Sequence, residues 1–136
     1  MTSAWTEIDL NCDLGEGIAE DETIIPLVSS CSLACGGHAG DPESLRSLLL
    51  LAKAHGTRAG AHPSYPDREH FGRRSMKMPP GEFEQAIRRQ LETFLQACRD
   101  TGVPMHHIKA HGALYNDMSW DSERIELYLK VLRRYR

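Results

Sequence analysis

The sequence predicts an α/β fold in which parallel strands alternate with helices. Four short apolar segments are typical of buried strands, and three longer amphipathic segments have the spacing of helices. Strands that alternate with helices along a chain pair in parallel through right-handed crossovers. We therefore expect a parallel β/α barrel-like fold of about four βα units, in a single domain that spans residues 1–136.

The four predicted strands are too short and too apolar to be amphipathic helices. They fit strands that are buried on both faces of a sheet. Their predicted ranges are Glu7–Cys12, Ser32–Gly36, Arg58–Ala61 and His107–Ala110.

The three main helices are predicted from apolar residues that recur on one helical face. In the first, Asp41 is a good N-cap and is followed by a proline at the first helical position, and Gly56 ends the helix. A shorter helix around Glu22–Ser29 is interrupted by Pro26. The ranges of the three main helices are Asp41–His55, Pro80–Thr101 and Asp121–Tyr135.

Charge and hydropathy narrow the classes of partner. A net charge of −3 gives no reason to expect a nucleic-acid or anionic-membrane partner, since both require a clustered basic surface. No apolar run approaches the ~20 residues that span a bilayer, and the first residues do not resemble a signal peptide. We expect a cytoplasmic protein with neither nucleic-acid nor membrane partners.

The cysteines are too few and too scattered for a secreted disulfide scaffold. They are Cys12, Cys31, Cys35 and Cys98. The spacing of Cys31 and Cys35 is longer than that of a zinc knuckle, so we expect buried thiols rather than a zinc site.

Polar residues follow each predicted strand. Because the C-terminal ends of parallel strands point to one face, these residues are expected to converge into an active site. They are Asn11, Asp13 and Glu16 after the first strand, His38 and Asp41 after the second, His62 and Asp67 after the third, and Lys109, His111, Tyr115 and Asn116 in or after the fourth.

Two kinds of chemistry fit this set of residues. An aspartate with two histidines is typical of a divalent metal site for hydrolysis. Alternatively, aspartate and histidine could act as base and acid without a metal, while Lys109 stabilises negative charge on an oxygen. The spacing of the residues leaves both hypotheses open.

The loop Pro63–Met78 is long enough to suggest that it covers a site. Its neighbouring Arg73 and Arg74 would suit a carboxylate or phosphate group, or they could form a solvated run of charge. Both interpretations remain open.

The predicted sheet has an unpartnered edge, and the last helix runs to Arg136 without a cap. We expect that the chain is a portion of something larger or that it forms homo-oligomers.

Four ordered motifs resemble those of the LamB/YcsF family. They are Ile8–Glu16 (IDLNCDLGE), Ala34–Asp41 (ACGGHAGD), Gly60–Asp67 (GAHPSYPD) and His107–Asn116 (HIKAHGALYN), and Phe71–Arg74 (FGRR) supports them. The resemblance covers the chain from about Glu7 to about Asn116.

The resemblance implies an irregular seven-stranded β/α barrel related to polysaccharide deacetylases. Family members are described as the A subunit of the prokaryotic 5-oxoprolinase, which cleaves 5-oxoproline to L-glutamate with ATP and with partner subunits B and C. ATP would therefore be a cofactor of the complex. Family members are also about twice as long, so this chain resembles their N-terminal half.

The resemblance also nominates site residues. Their charge and their position at the strand ends suggest roles in opening a lactam: Asp13 or His62 would act on the attacking water, Lys109 and His111 would contact the carbonyl oxygen, and Arg73 or Arg74 would bind the substrate carboxylate. The expected catalytic residues are Asp13, His62, Lys109 and His111; the expected substrate-binding residues are Asn11, Glu16, His38, Asp41, Arg73, Arg74, Tyr115 and Asn116; and the ligands of an optional divalent metal are Asp13, His38 and His62.

Two other functions remain as alternatives. One is a metal-dependent amidase or deacetylase that acts alone. The other is a truncated, non-catalytic module that forms oligomers.

Overall fold

The computed structural model describes residues 7–18 and 20–135, and it has the predicted α/β architecture. Within this part of the chain, three strands form one parallel sheet in the order β1-β2-β3. The strands are β1 (Asn11–Leu14), β2 (Ser30–Ala34) and β3 (Arg58–His62). The helices are α1 (Asp21–Ile24), α2 (Pro42–His55), α3 (Pro80–Thr101), α4 (Gly112–Asp117) and α5 (Ser122–Leu132), with short 3₁₀ turns at Ile25–Leu27 and Arg133–Tyr135.

The two faces of the sheet differ in polarity. Leu14, Leu33 and Ala61 share one register row and belong to the apolar core, together with side chains from α2 and α3. Side chains alternate along a strand, so the next row, Asp13 with Ser32, lies on the opposite face. The expectation of strands buried on both faces is confirmed for β2, whose five residues are all buried, and for β3 after Arg58, although one face carries polar side chains; it is wrong for β1, which is buried only at Leu14.

The first two strands are displaced from their predicted ranges. Ile8 and Leu10 lie outside the sheet and are 77% and 51% exposed, so the first strand begins at Asn11. The second strand starts and ends two residues early, at Ser30–Ala34, and Gly36 then turns the chain with a φ of 107°. The predicted start of the first strand is wrong because Ile8 and Leu10 are apolar, and hydrophobicity alone does not show which residues pair in a sheet.

The predicted fourth strand, His107–Ala110, is wrong as a strand, since within the described residues it makes a single parallel bridge, between Ala61 and Ile108. On one side the pairing stops at Pro63, which has no N–H to donate. On the other side the register slips by one residue. The N–H of His106 donates to the Ala59 carbonyl at 2.8 Å, one residue earlier than the bridge between Ala61 and Ile108 would require. The segment still runs beside β3 and brings its polar residues to the same edge of the sheet.

The main helices confirm the periodicity argument. Asp41 caps α2 by accepting from the Ser44 N–H, and Gly56 ends the helix with a φ of 68°. The predicted short helix is present as α1 and the following 3₁₀ turn, which contains Pro26. Helix α4 was not predicted, because its six residues are too few to show a helical period.

The cysteines behave as expected of structural thiols. Cys31, Cys35 and Cys98 are buried, Cys12 is half-buried, and all four thiols are free. Burial raises the pKa of the Cys31 and Cys35 thiols to about 12, which makes them poor nucleophiles and poor metal ligands.

In the described ranges, none of the helices has both the length and the apolar character needed to cross a membrane.

Two glycines with similar backbone angles test how tightly the turn after β2 is packed. Gly40 has a φ of +83° and a Cβ there would lie 2.7 Å from the Ala34 carbonyl oxygen, whereas Gly17 has a φ of +72° with nothing within 4 Å. Gly17→Ala should cost about 1–2 kcal/mol for the left-handed backbone alone. Gly40→Ala should lower the free energy of unfolding by about 1–3 kcal/mol more, because backbone must move. Urea unfolding measures both, and equal losses would contradict the packing.

Candidate active site

Four ionisable side chains meet at the C-terminal edge of the sheet: Glu16, His38, His62 and His111. Glu16 and His38 follow β1 and β2, His62 ends β3, and His111 directly precedes α4. One ligand atom from each residue lies within 4.8 Å of the other three. His38, His62 and His111 are only 2%, 1% and 7% exposed. We call this group the histidine–glutamate cluster. These four residues lie close together, as expected for polar residues at the ends of parallel strands.

The contacts inside the cluster are short. His38 Nε2 lies 2.8 Å from Glu16 Oε1, and His111 Nδ1 lies 3.1 Å from His62 Nε2. The same Glu16 oxygen is 3.4 Å from His111 Nδ1 and 3.6 Å from His62 Nε2. The rings of His38 and His111 stack with centroids 3.6 Å apart and planes 6° from parallel.

The outer ring nitrogens of the three histidines are each fixed by an acceptor. His62 Nδ1 donates to the Lys109 carbonyl at 2.6 Å, and His111 Nε2 donates to the Phe71 carbonyl at 2.9 Å. His38 Nδ1 lies 2.9 Å from Ser64 Oγ, whose own hydroxyl proton goes to the Tyr65 carbonyl. Carbonyl oxygens only accept, and the Ser64 hydroxyl gives its single proton to Tyr65, so each outer nitrogen carries a proton.

The serine that fixes His38 is itself held by a buried glutamine on α3. Gln90 Oε1 accepts from the Ser64 N–H at 2.9 Å, and Gln90 Nε2 donates to the Ser64 carbonyl at 2.8 Å. Neither residue was nominated from the sequence. Gln90 is 5% exposed on the apolar side of α3, and a buried polar residue at a core position is the signal that could have found it.

Phe71 and Gly72 close the cluster from the side of the long loop. Both have left-handed backbones, with φ of 56° and 63°. A Cβ at Gly72 would lie 3.0 Å from the Cβ of His38 and 3.2 Å from the ring of His111. The loop Pro63–Met78 therefore packs over the cluster at these two residues, and its role as the cover of a functional site stays a prediction.

A second polar group lies beside the cluster and is more accessible. Lys109 Nζ donates to Asp13 Oδ1 at 2.9 Å and to Asn11 Oδ1 at 3.3 Å. Asp13 Oδ2 is 3.4 Å from His62 Nε2, which joins the pair to the cluster. The side chains of Lys109 and Asp13 are 43% and 36% exposed, so water and small molecules can reach them.

The electrostatics favour charged carboxylates beside neutral imidazoles. The contact with His62, and then the hydrogen bond from Lys109, hold the pKa of Asp13 well below its usual range. Burial acts to raise the pKa of Glu16, but the contact with His38 and the charges of the neighbouring histidines outweigh it and lower this pKa. Burial lowers the pKa of both His38 and His111.

A cavity of about 740 Å³ opens next to the cluster, and Glu16, His38 and Phe71 form part of its wall. Arg68 also lines it and donates to the Gly40 carbonyl. The sequence analysis did not nominate Arg68, although it lies in the loop that was expected to cover the site. Carboxylates contribute the rest of the charge of the wall: Glu16, Asp21, Glu22, Asp41 and Glu43.

The other nominated residues lie outside the cluster. Asp41 lines the cavity, but its carboxylate accepts from the Ser44 N–H as the cap of α2. Arg73 and Arg74 are exposed and do not line the cavity, and the Arg73 guanidinium lies over the Phe71 ring at 5.1 Å.

The last three nominated residues also lie apart from the four-residue group. Tyr115 and Asn116 are exposed on α4, and Asp67 accepts from the N–H and the ring of His70. Substrate binding by Tyr115 and Asn116 stays a prediction.

The residues that could hold a metal differ from the expected set. Among the described residues, the group with mutually close ligand atoms consists of Glu16, His38, His62 and His111. Asp13 lies beside this group rather than in it. Three imidazoles and one carboxylate are a donor set that fits a divalent transition metal.

The lowered pKa values of His38 and His111 predict a pH dependence of stability. In the unfolded chain these imidazoles bind protons below about pH 6.5, whereas the folded state resists protonation until lower pH. The free energy of unfolding, measured with urea and a metal chelator, should therefore fall as the pH drops below about 6.5. His111→Gln should weaken this dependence, whereas His55→Gln, at the exposed end of α2, should not. Equal pH dependence of the free energy of unfolding in the unmodified chain and in both variants would contradict this prediction.

Comparisons with known proteins agree with the resemblance seen in the motifs. The LamB/YcsF family model matches residues 8–136. The 5-oxoprolinase A subunit of Histophilus somni (strain 129Pt) is 43% identical over 127 residues, which cover 93% of this chain and 51% of that protein. The 5-oxoprolinase A subunit of Chloroflexus aggregans (strain MD-66 / DSM 9485) is 48% identical over 114 residues, or 80% of this chain and 45% of that protein.

A solved structure shows the same fold. The crystal structure of the lactam utilization protein from Thermus thermophilus matches with a TM-score of 0.90 at 38% identity, over 96% of this chain and 55% of that one. The chain thus spans about half the length of the relatives that it matches. Family model, sequence identity and fold agree, and the chain belongs to the LamB/YcsF family.

Proposed function

We propose that this chain supplies active-site residues to a 5-oxoprolinase, as part of the A subunit of that enzyme. The enzyme would open the lactam ring of 5-oxoproline to L-glutamate in a reaction coupled to ATP hydrolysis. Relatives that are named as 5-oxoprolinase A subunits support this proposal. The observation that carries it is the accessible Asp13–Lys109 pair, 2.9 Å apart, directly beside the histidine–glutamate cluster.

The proposed chemistry is hydrolysis of a cyclic amide. The oxygen of a water adds to the ring carbonyl carbon, the bond from that carbon to the ring nitrogen breaks, and the nitrogen takes up a proton. Asp13, whose carboxylate stays charged at neutral pH, would orient the water by accepting a hydrogen bond from it; because its pKa is held low, it would pass the proton of the water on to the ring nitrogen rather than keep it. Lys109 would stabilise the negative charge on the carbonyl oxygen.

The buried histidines have a different part in this proposal. His62 and His111 were expected to act directly on water and on the carbonyl oxygen, but their side chains are 1% and 8% exposed. We assign them to holding Glu16 and orienting Asp13, since Asp13 Oδ2 contacts His62 Nε2 at 3.4 Å.

The cofactor and partner expectations remain part of the proposal. The relatives are named as one lettered subunit of an enzyme, which supports a multi-subunit assembly. Subunits B and C would be the partners, ATP would bind through the complex, and a homo-oligomer of this chain stays a prediction.

A metal-dependent amidase or deacetylase that acts alone is the second candidate. The specific observation in its favour is the four-residue cluster with ligand atoms within 4.8 Å. Glu16, His38, His62 and His111 would hold the ion, which when bound would polarise the substrate carbonyl as a Lewis acid. Activity without subunits B and C, lost on chelation, would favour this candidate over the first.

Replacement of Asp13 tests the proposed base. In the complex with subunits B and C, Asp13→Asn should lower the rate of glutamate formation from 5-oxoproline by about 10²–10⁴-fold, because the amide cannot accept a proton. Asp9→Asn is the matched control, since Asp9 is exposed on the same segment and pairs with Arg58. An unchanged rate in Asp13→Asn would refute the role of Asp13, and no glutamate from the unmodified chain would refute the proposed function.

Replacement of Arg68 tests which cation binds the substrate carboxylate. Arg68 lines the cavity, whereas Arg73 and Arg74 do not. The Asp13–Lys109 pair lies outside the cavity wall, so the prediction is for a substrate whose ring lies at that pair and whose carboxylate enters the cavity. For this pose Arg68→Ala should raise the KM for 5-oxoproline by about tenfold or more, as expected for loss of a charge-assisted hydrogen bond. A rise in KM for Arg73→Ala or Arg74→Ala, with Arg68→Ala unaffected, would instead support the assignment made from the sequence.

A further inference from the structure

When all three imidazoles are neutral, the inner nitrogens of the histidine–glutamate cluster have no proton to place between them. The outer nitrogens of His38, His62 and His111 each carry a proton, because each faces an acceptor that is already committed. In neutral imidazoles the inner nitrogens are then bare lone pairs. These three lone pairs and the Glu16 carboxylate face one another at separations of 2.8–3.6 Å in the measured pairs.

Such an arrangement needs a positive charge at its centre, since lone pairs this close repel one another. Protons on the inner nitrogens are one source of charge. The parallel stack of His38 on His111, with centroids 3.6 Å apart, disfavours two imidazolium rings at these positions. One proton can bridge His38 and Glu16, and a second on His62, whose inner nitrogen also lies 3.4 Å from Asp13 Oδ2, would fill the 3.1 Å contact with His111; metal titration separates this arrangement from a bound ion.

A metal ion among the inner nitrogens and Glu16 is the other source of this charge; to bind it together, His38 or His111 would turn out of the stack, because a ligating imidazole keeps the ion in its own ring plane. Ligand atoms about 2.0–2.1 Å from a tetrahedral ion lie about 3.4 Å from one another. The measured separations of 2.8, 3.1, 3.4 and 3.6 Å scatter around that value. The outer partners of the rings, two backbone carbonyls and the Ser64 hydroxyl, are also of the kind that orients metal-bound histidines.

We infer that Glu16, His38, His62 and His111 bind one divalent transition-metal ion of the zinc class. Three imidazoles and one carboxylate suit zinc, cobalt or nickel, whereas magnesium and calcium prefer oxygen ligands. Asp13 is placed outside the ligand set: its Oδ1 accepts from Lys109 at 2.9 Å and its Oδ2 lies 3.4 Å from His62 Nε2, but it does not belong to the group whose ligand atoms all lie within 4.8 Å of one another. A catalytic use of this ion would rest on the proposed function, whereas binding of the ion does not require turnover of a substrate.

Metal titration of the purified chain tests the site without substrate or partner subunits. The chain is freed of metal with a chelator and titrated with Zn²⁺ by calorimetry, and then with Co²⁺, whose visible absorption reports a four-coordinate site. One ion per chain should bind at neutral pH. His38→Gln and Glu16→Gln should each weaken binding by more than about 100-fold, since loss of a ligand exceeds the 10–100-fold effect of an outer partner.

Two variants should weaken binding less than loss of a ligand does. Asp13→Asn removes a charge beside His62 but no ligand and should cost at most about 10–100-fold, which separates this ligand set from the set of Asp13, His38 and His62. His55→Gln is the matched histidine control, because His55 is exposed at the end of α2. Circular dichroism verifies that each variant is folded. If a ligand variant does not fold, Ser64→Ala replaces it and should weaken binding by about 10–100-fold.

Three results would overturn the inference. They are failure of the unmodified chain to bind an ion, binding that the cluster variants leave unchanged, and loss of binding in Asp13→Asn but not in Glu16→Gln. Because the titration involves neither 5-oxoproline nor ATP, these results are independent of a failure of the proposed enzymatic activity.

Discussion

The parallel register of β1, β2 and β3 determines which polar groups can meet in this protein. Parallel strands end on the same side of a sheet, so the turns that follow them share one edge. In this register Asp13 lies opposite Ser32, and Ser32 lies opposite Gly60. Gly60 leaves the space for the ring of His107, since a Cβ there would lie 2.4 Å from that ring. The segment that carries Lys109 can therefore approach the sheet closely enough for Lys109 to reach Asp13.

Backbone carbonyls orient the histidine rings that the sheet brings together. His62 and His111 are aimed by the carbonyls of Lys109 and Phe71 rather than by other side chains. The left-handed φ of 56° at Phe71 is unusual for a bulky residue and is of the kind found at functional sites. The path of the backbone is thus part of the site, and the glycine that follows Phe71 lets the loop pack against the histidine rings.

The sequence predicted the part of this arrangement that depends on repetition along the chain. Each strand-like segment is followed by a polar residue, and the rule for parallel strands is enough to place His38, His62 and His111 together. Gln90 could have been noticed as a polar residue at a core position of α3, but its contact with Ser64 could not be predicted, because it joins α3 to a loop that is distant in sequence. The sequence also could not show that Arg68, rather than Arg73, lines the cavity, because the positions of two arginines in one loop depend on how the loop folds.

The site combines two environments that suit different tasks. The histidine–glutamate cluster is largely dry, and in a medium of low dielectric constant its interactions are strong and its groups exchange little with water. Asp13 and Lys109 lie at the boundary, 36% and 43% exposed, where protons and small polar molecules can exchange. His62 links the two environments, because its inner nitrogen lies 3.4 Å from Asp13 and 3.6 Å from Glu16. Positive charge held in the cluster would therefore act on the Asp13 carboxylate through His62 and keep it charged where water can reach it.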